Sequence, residues 1–319
     1  MAPARDRVAT IAVTARVSDD IMWFKNLTVF RLPSGWSRSP GEIETTLTEF
    51  PLQPCVGQNL QSRGWVAVND AGQLVISQER QVMIALGTEE KLLPASVVNQ
   101  TAEERIKEME QQKGFKIGRK HKREIKEQVQ ADLLPRAFSR RRVTRGWIDF
   151  ADGWLVVDTS TPSRADDFTH TLRNALGELP VTPLQSEPSM SALMTGWLAS
   201  GTAPGAFDLD DECELTGTDE HKATVRYLRH SLDGKDIAGH LSNGKVVTRL
   251  ALTWNGRISL VINDKLQIKR LKFLDMDAVE DEQGGLDPEA AQEADFALMC
   301  GEFSALLKDL AQAVNAPRD

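Results

Sequence analysis

Cysteine is scarce here: Cys55, Cys213 and Cys300 are the only three in 319 residues. Their odd number and wide separation argue against a disulfide framework and suggest a reducing, cytosolic setting. Five scattered histidines add no metal-ligand spacing, so the cysteines read as free structural residues and no metal or cofactor is expected. No apolar run approaches the roughly 20 residues of a membrane span, which leaves the membrane out as a partner. There is no phosphate-cradling glycine loop ending in Lys-Ser/Thr and no nucleophile elbow. No histidine has a carboxylate and a nucleophile at a recognisable spacing. Nothing in the sequence supports an enzyme. Internal repeats and low-complexity tracts are also absent.

What is present is charge, unevenly placed. The chain carries 38 Lys+Arg against 46 Asp+Glu, a net of -8. Residues 101–145 reverse that sign with 14 basic and 7 acidic residues. Ion pairs at i,i+4 explain Glu103 with Lys107 and Arg123 with Glu127. They do not explain residues 113–123, where no carboxylate occurs. A compact basic feature on an acidic protein points to a polyanionic partner, most often nucleic acid. The candidate contacts are Lys113, Lys116, Arg119, Lys120, Lys122, Arg123, Lys126, Arg136, Arg140, Arg141 and Arg142.

Read in order, residues 1–21 hold Arg5, Arg7 and Arg16 without a secretory core; a transit peptide is one reading, and a flexible extension or an upstream translation start is the expected one. Met22–Leu32 reads as a strand, ended by Pro33-Ser34-Gly35. Ser39-Pro40 with Glu42 opens a short helix. Trp65–Val68, Asn69-Asp70-Ala71-Gly72 and Gln73–Ser77 read as a hairpin, followed by a strand over Arg80–Leu86. With no long helices between them, these strands favour an antiparallel sheet. Ala95–Lys113 and Arg119–Leu133 read as two helices broken by Gly114 and Gly118. Ile106 and Met109 mark the first and Ile125 and Val129 the second. So polar a pair cannot sit in a core. It is expected to project with its basic turn at the tip, and Pro135 ends it.

Val143–Phe150 and Trp154–Thr159 form a second hairpin. Thr161-Pro162 caps a helix bearing Phe168, Leu172 and Leu176 and closed by Gly177. Met190, Leu193, Met194, Trp197 and Leu198 mark an apolar core helix. Lys222–Arg229 reads as a strand and Gly234–Leu241 as a short helix. Asn255-Gly256 joins Val246–Trp254 to Arg257–Asn263 as a type I′ hairpin. Leu266–Leu274 adds a strand, 275–282 an acidic linker, and Asp287-Pro288 a final helix with Phe296, Met299, Phe303, Leu306, Leu307 and Leu310 on one face. Residues 275–319 hold 12 acidic and 2 basic residues, so this end should avoid DNA. The expected fold class is α+β, with antiparallel sheets, packed helices and one protruding basic helical hairpin. Its segments are 1–21, 22–94, 95–142, 143–274 and 275–319.

One rival remains within the sequence. Asp208, Asp210, Asp211, Glu212 and Glu214 could hold Mg²⁺ in a metal-dependent nuclease. The plainer reading is an exposed acidic loop. A third reading is a protein-protein adaptor whose basic hairpin docks an acidic partner.

Several stretches together resemble one family, the bacterial recombination-associated protein RdgC. They are Met22-Trp23-Phe24-Lys25-Asn26-Leu27, Lys91-Leu92-Leu93-Pro94, Leu133–Arg140, Trp147-Ile148-Asp149, Gly244–Leu252 and Leu271-Lys272-Phe273. They occur in the family's order from Met22 to about Val314. The resemblance implies a non-enzymatic protein of the bacterial cytoplasm, associated with the nucleoid. It implies a ring-shaped homodimer that encircles double-stranded DNA, also binds single-stranded DNA, and limits the recombinase RecA. It places Phe138 at a contact where two arms meet. Arg229 and His230 fall at the other subunit contact, beside the hole, where the resemblance makes them candidate DNA contacts as well. His230 departs from the family's usual amide, and Phe115 and Gly118 interrupt the family's basic tip.

Overall fold

Ser39 starts the first helix through the reciprocal bonding its spacing to Glu42 predicts. In this computed structural model, which describes residues 23–274 and 287–316, α1 spans Pro40–Thr48. The Ser39 hydroxyl accepts the Glu42 backbone N–H at 3.2 Å, and the Glu42 carboxylate accepts the Ser39 N–H at 2.8 Å. Two otherwise orphaned donors are satisfied, and Pro40 supplies a helical φ where no N–H is needed.

Seven strands form the first sheet: β1 (Thr28–Arg31), β2 (Gln61–Val66), β3 (Val75–Gln78), β4 (Gln81–Leu92), β5 (Phe138–Asp149), β6 (Trp154–Val157) and β7 (Thr182–Pro183). Their order is β2-β4-β5-β6-β1-β7, antiparallel throughout, with β3 also on β4. The expected 65–77 hairpin is not one. β2 pairs with residues 85–90 of β4, and β3 pairs with residues 81–84, both along one edge. Residues 67–74 are an excursion between two pieces of the same edge, tied by Val68 N–H to Gln73 O at 2.8 Å. Turn chemistry closed the loop, and the long β4 decided where its arms went. The first strand is also shorter than its apolar run, covering Thr28–Arg31, with Leu27 bridging to Ile268.

Alternation along β4 builds two layers. Val82, Ile84 and Leu86 face α1 and α4 (Pro162–Leu176), packing with Ile43, Leu47, Phe168 and Leu172. Met83 and Ala85 face the opposite way, into the larger core. Gly146 on β5 is required here, because a Cβ would lie 2.2 Å from Phe168 Cζ. Thr161 occupies the cap position of α4, but its side chain makes no capping bond.

The second sheet is β12-β11-β10-β8-β9, from β8 (Phe207–Thr216), β9 (Thr224–Leu228), β10 (Val246–Trp254), β11 (Ile258–Asn263) and β12 (Ile268–Phe273). Asn255 and Gly256 have φ of 50° and 65°, the left-handed pair a type I′ turn needs. The uneven pattern in Ile268–Phe273 has a local cause. Arg270 sits at φ 52°, and the pairing with β11 shifts there, so a bulge returns Leu271 to the core. Helices α5 (Met190–Ser200), α6 (Lys235–Ser242) and α7 (Pro288–Ala313) complete the body. Phe296, Met299, Phe303, Leu306, Leu307 and Leu310 of α7 are all buried in the cluster shared by both sheets. Phe303 lies 5.9 Å from Trp147 of the first sheet and 6.2 Å from Phe273 of the second. Leu27 and Ile268 exchange backbone hydrogen bonds of 2.9 and 3.0 Å across the sheets.

The protein is thus α+β, with antiparallel sheets and seven helices among the described residues. No helix among those residues is long and apolar enough to cross a membrane. The extension at 1–21 and the acidic linker at 275–282 lie outside the described residues.

Candidate nucleic-acid interface

The basic stretch folds as α2 (Ala95–Lys113) and α3 (Arg119–Leu133), with the boundaries its glycines predict. Val98, Ala102, Ile117, Ile125 and Val129 form a small apolar seam separate from both main cores. Arg105 reaches Asp132 at 2.9 Å and Lys122 reaches Glu110 at 3.6 Å, which sets the helices antiparallel. Leu134–Arg136 then make a 3-10 turn containing Pro135.

The turn between the helices is held from inside. Gly114 takes φ 74° as the left-handed end of α2, a conformation that favours glycine. Ile117 enters the seam, and its N–H bonds the Glu110 carboxylate at 2.9 Å. That bond, with Lys122 and Lys116 nearby, holds the Glu110 carboxyl below its ordinary range. Around this anchor Lys113, Lys116, Arg119, Lys120, Lys122, Arg123 and Lys126 are exposed. Arg123 meets Glu127 at 3.5 Å. Among the described residues, Lys113, Lys116, Arg119, Lys120, Lys126 and Arg136 make no salt bridge. Cations without a close ion-pair partner can exchange counterions for phosphates at little internal cost.

Arg140, Arg141 and Arg142 stand differently. They are strand residues of β5, whose register sets Glu89 opposite Arg141 and Glu90 opposite Arg140. Arg140 pairs with Glu90, Arg142 reaches the same carboxylate at 3.5 Å, and Arg141 reaches Glu89 at 2.6 Å. Burial pushes the Glu89 carboxyl up, but Arg141, the Cys55 N–H and Ser139 together hold it below the usual range. The sequence gives no sign of these partners, which lie about fifty residues away. Replacing Arg141 with Met should strand Glu89, only 5% exposed. We expect a cost of about 1–3 kcal/mol in thermal or denaturant unfolding. Adding Glu89→Gln should restore more than half of it, and an unaltered melt of Arg141→Met would show the pair to be ornamental.

Phe138 opens β5 and is 85% exposed, beside its cross-strand partner Leu92, which is 44% exposed. Arg229 and His230 lie elsewhere, after the edge strand β9 of the second sheet. Arg229 has φ 53° and, among the described residues, makes no salt bridge. The His230 N–H donates to Asp211 O at 3.0 Å, its ring nitrogen Nδ1 lies 2.7 Å from Ser231 O, and the ring packs beside Tyr227. The structure therefore divides the candidates between an edge of the second sheet and the helix pair with β5.

Residues 208–214 are not a loop. They lie in β8, between β10 and β9. Glu212 pairs with Arg270 at 2.5 Å, and Glu214 pairs with Arg226. Glu214 also lies 3.9 Å from Arg249. Among the described residues, no group of three His, Cys, Asp or Glu side chains is placed to hold a metal. Cys213 is buried in the core, and burial raises its thiol to about 11, so it is no nucleophile at neutral pH.

Fold and site together define an α+β protein of two antiparallel sheets that carries a separate cationic helix pair on an acidic chain. A family model described as "Putative exonuclease, RdgC" matches residues 22–316. Over 297 residues the chain is 46% identical to the recombination-associated protein RdgC of Cupriavidus pinatubonensis, covering 93% of this chain and 99% of that one. The protein of the same name from Dechloromonas aromatica is 44% identical, over 92% of this chain and 97% of its own length. This chain belongs to the RdgC family.

Proposed function

We propose that this chain is a non-sequence-specific, non-enzymatic DNA-binding protein that encircles duplex DNA as a homodimer, also holds single strands, and limits RecA during homologous recombination at the nucleoid. The observation that carries the DNA reading is the group of exposed cations on α2, α3 and their turn that, among the described residues, make no salt bridge. An acidic body with a confined basic surface can hold DNA there and stay soluble elsewhere. Relatives named as recombination-associated proteins support the recombination context. The exposed pair Phe138 and Leu92 supports a subunit contact at the start of β5. Arg229 and His230 supply the second contact, with His230 in place of the family's usual amide.

Phosphate contacts carry no sequence information, so affinity should be nearly equal for unrelated duplexes. Log K should fall linearly with log[salt], with a slope of about -0.9 per phosphate neutralised. Titrating two unrelated duplexes across a salt series checks this. A salt-insensitive complex, or strong preference for one sequence, would sink the reading. The family model's description favours a second reading, an exonuclease. Ends labelled and incubated with Mg²⁺ or Mn²⁺ should remain intact, and progressive shortening would establish that second reading instead.

A further inference from the structure

Phe115 is 64% exposed at the turn between α2 and α3. Its neighbours in sequence are Lys113, Lys116, Arg119 and Lys120, all exposed. An aromatic ring left this exposed on such a surface gains little apolar burial. The adjacent Ile117 shows the alternative, since it is buried in the helix seam. The turn is also preset. Gly114 fixes its entry at φ 74°, and the Ile117 N–H is bonded to Glu110 at 2.9 Å. With Ile117 and its amide engaged, Phe115 stays outside the seam among the cations.

We propose that Phe115 is a stacking residue for the unpaired bases of single-stranded DNA, with the surrounding cations holding the phosphates on either side. This rests on the DNA-binding reading and deepens it. Single strands are bound where a positive surface tracks the backbone and aromatic faces receive bases. Every base has a π-face, so the contact adds affinity without reading sequence. A paired base inside a duplex has both faces already stacked and offers this ring nothing comparable. Phe115 therefore separates single-stranded from duplex binding, a distinction the cations alone cannot make. Two side-chain torsions make the ring cheap to fix.

The test compares full-length wild type with Phe115→Ala, Phe115→Leu and Phe115→Trp on a single-stranded oligonucleotide and on a blunt duplex at one salt concentration. One oligonucleotide carries 2-aminopurine, whose fluorescence reports base stacking. Phe115→Ala should weaken single-strand binding by roughly 5- to 150-fold, with duplex affinity and melting temperature unchanged. Phe115→Leu should lose most of this and Phe115→Trp should retain it. The 2-aminopurine signal should change on binding wild type and not on binding Phe115→Ala. Unaltered single-strand affinity in Phe115→Ala overturns the proposal and leaves the DNA reading standing. Equal losses on both DNAs, or full rescue by Leu, show a ring that shapes the turn or acts as an apolar wedge, and also overturn it. Failure of the wild type to bind either DNA overturns the DNA reading itself.

Discussion

Changing Lys113, Lys116, Arg119, Lys120 and Lys126 together to glutamine will lower duplex DNA affinity by at least about a hundredfold near 0.1 M salt. The magnitude follows from counterion release: with about 0.9 counterions freed per phosphate neutralised, each phosphate left without its cation near that salt costs roughly one decade. The salt slope will flatten in step. None of the five makes a salt bridge among the described residues, and all are exposed, so the melting temperature should hardly move. A companion variant with Arg140, Arg141 and Arg142 changed to glutamine should show the reverse balance. It should lose stability, because Glu89 and Glu90 lose their partners, and should lose less DNA affinity. Wild-type affinity in the five-site variant would return the helix pair to an ordinary solvated face.

Phe138→Ala will shorten the lifetime of the protein on circular duplex DNA far more than it weakens folding. At 85% exposure the ring contributes little to this chain's own core. Set against a second subunit, a buried aromatic anchor can be worth more than about 2 kcal/mol. On the proposed reading a closed ring leaves circular DNA only by opening, so weakening the proposed contact at Phe138 should accelerate release from circles while linear DNA is less affected. The measurement is dissociation from matched circular and linear DNA, with mass in solution recorded for both proteins. Unchanged mass and unchanged lifetime on circles would remove Phe138 from the subunit contact. Outright unfolding would instead make it a core residue.

Local chemistry made much of this protein legible. Ser39, Pro40 and Glu42 cap α1 within four residues, and Asn255-Gly256 sets its hairpin because few other pairs tolerate two left-handed conformations. Gly114 and Gly118 bound α2 and α3. The spacing of the apolar residues of α7 marks its buried face. Sequence patterns misled where partners are distant. Residues 208–214 looked like a loop because acidic side chains interrupt their alternation. In β8 a pairing irregularity opposite Leu250–Leu252 shifts the pattern; Arg226 and Arg249 on the neighbouring strands take up Glu214, and Arg270 of the more distant β12 takes up Glu212.

The same division holds for the site. Helix periods and glycine conformations act over a few residues, so the chain's own pattern marks a basic helix pair, its turn, and Ile125 and Val129 of its seam, but not Val98, Ala102 or Ile117. Which cations keep their charge available depends on strand pairing far along the chain. The register of β4 against β5 sets Arg140, Arg141 and Arg142 beside Glu89 and Glu90, while Lys113, Lys116, Arg119, Lys120 and Lys126 find no carboxylate within salt-bridge distance among the described residues. Net charge along a chain is additive, but the field a ligand meets depends on which opposite charges folding places within a few ångströms.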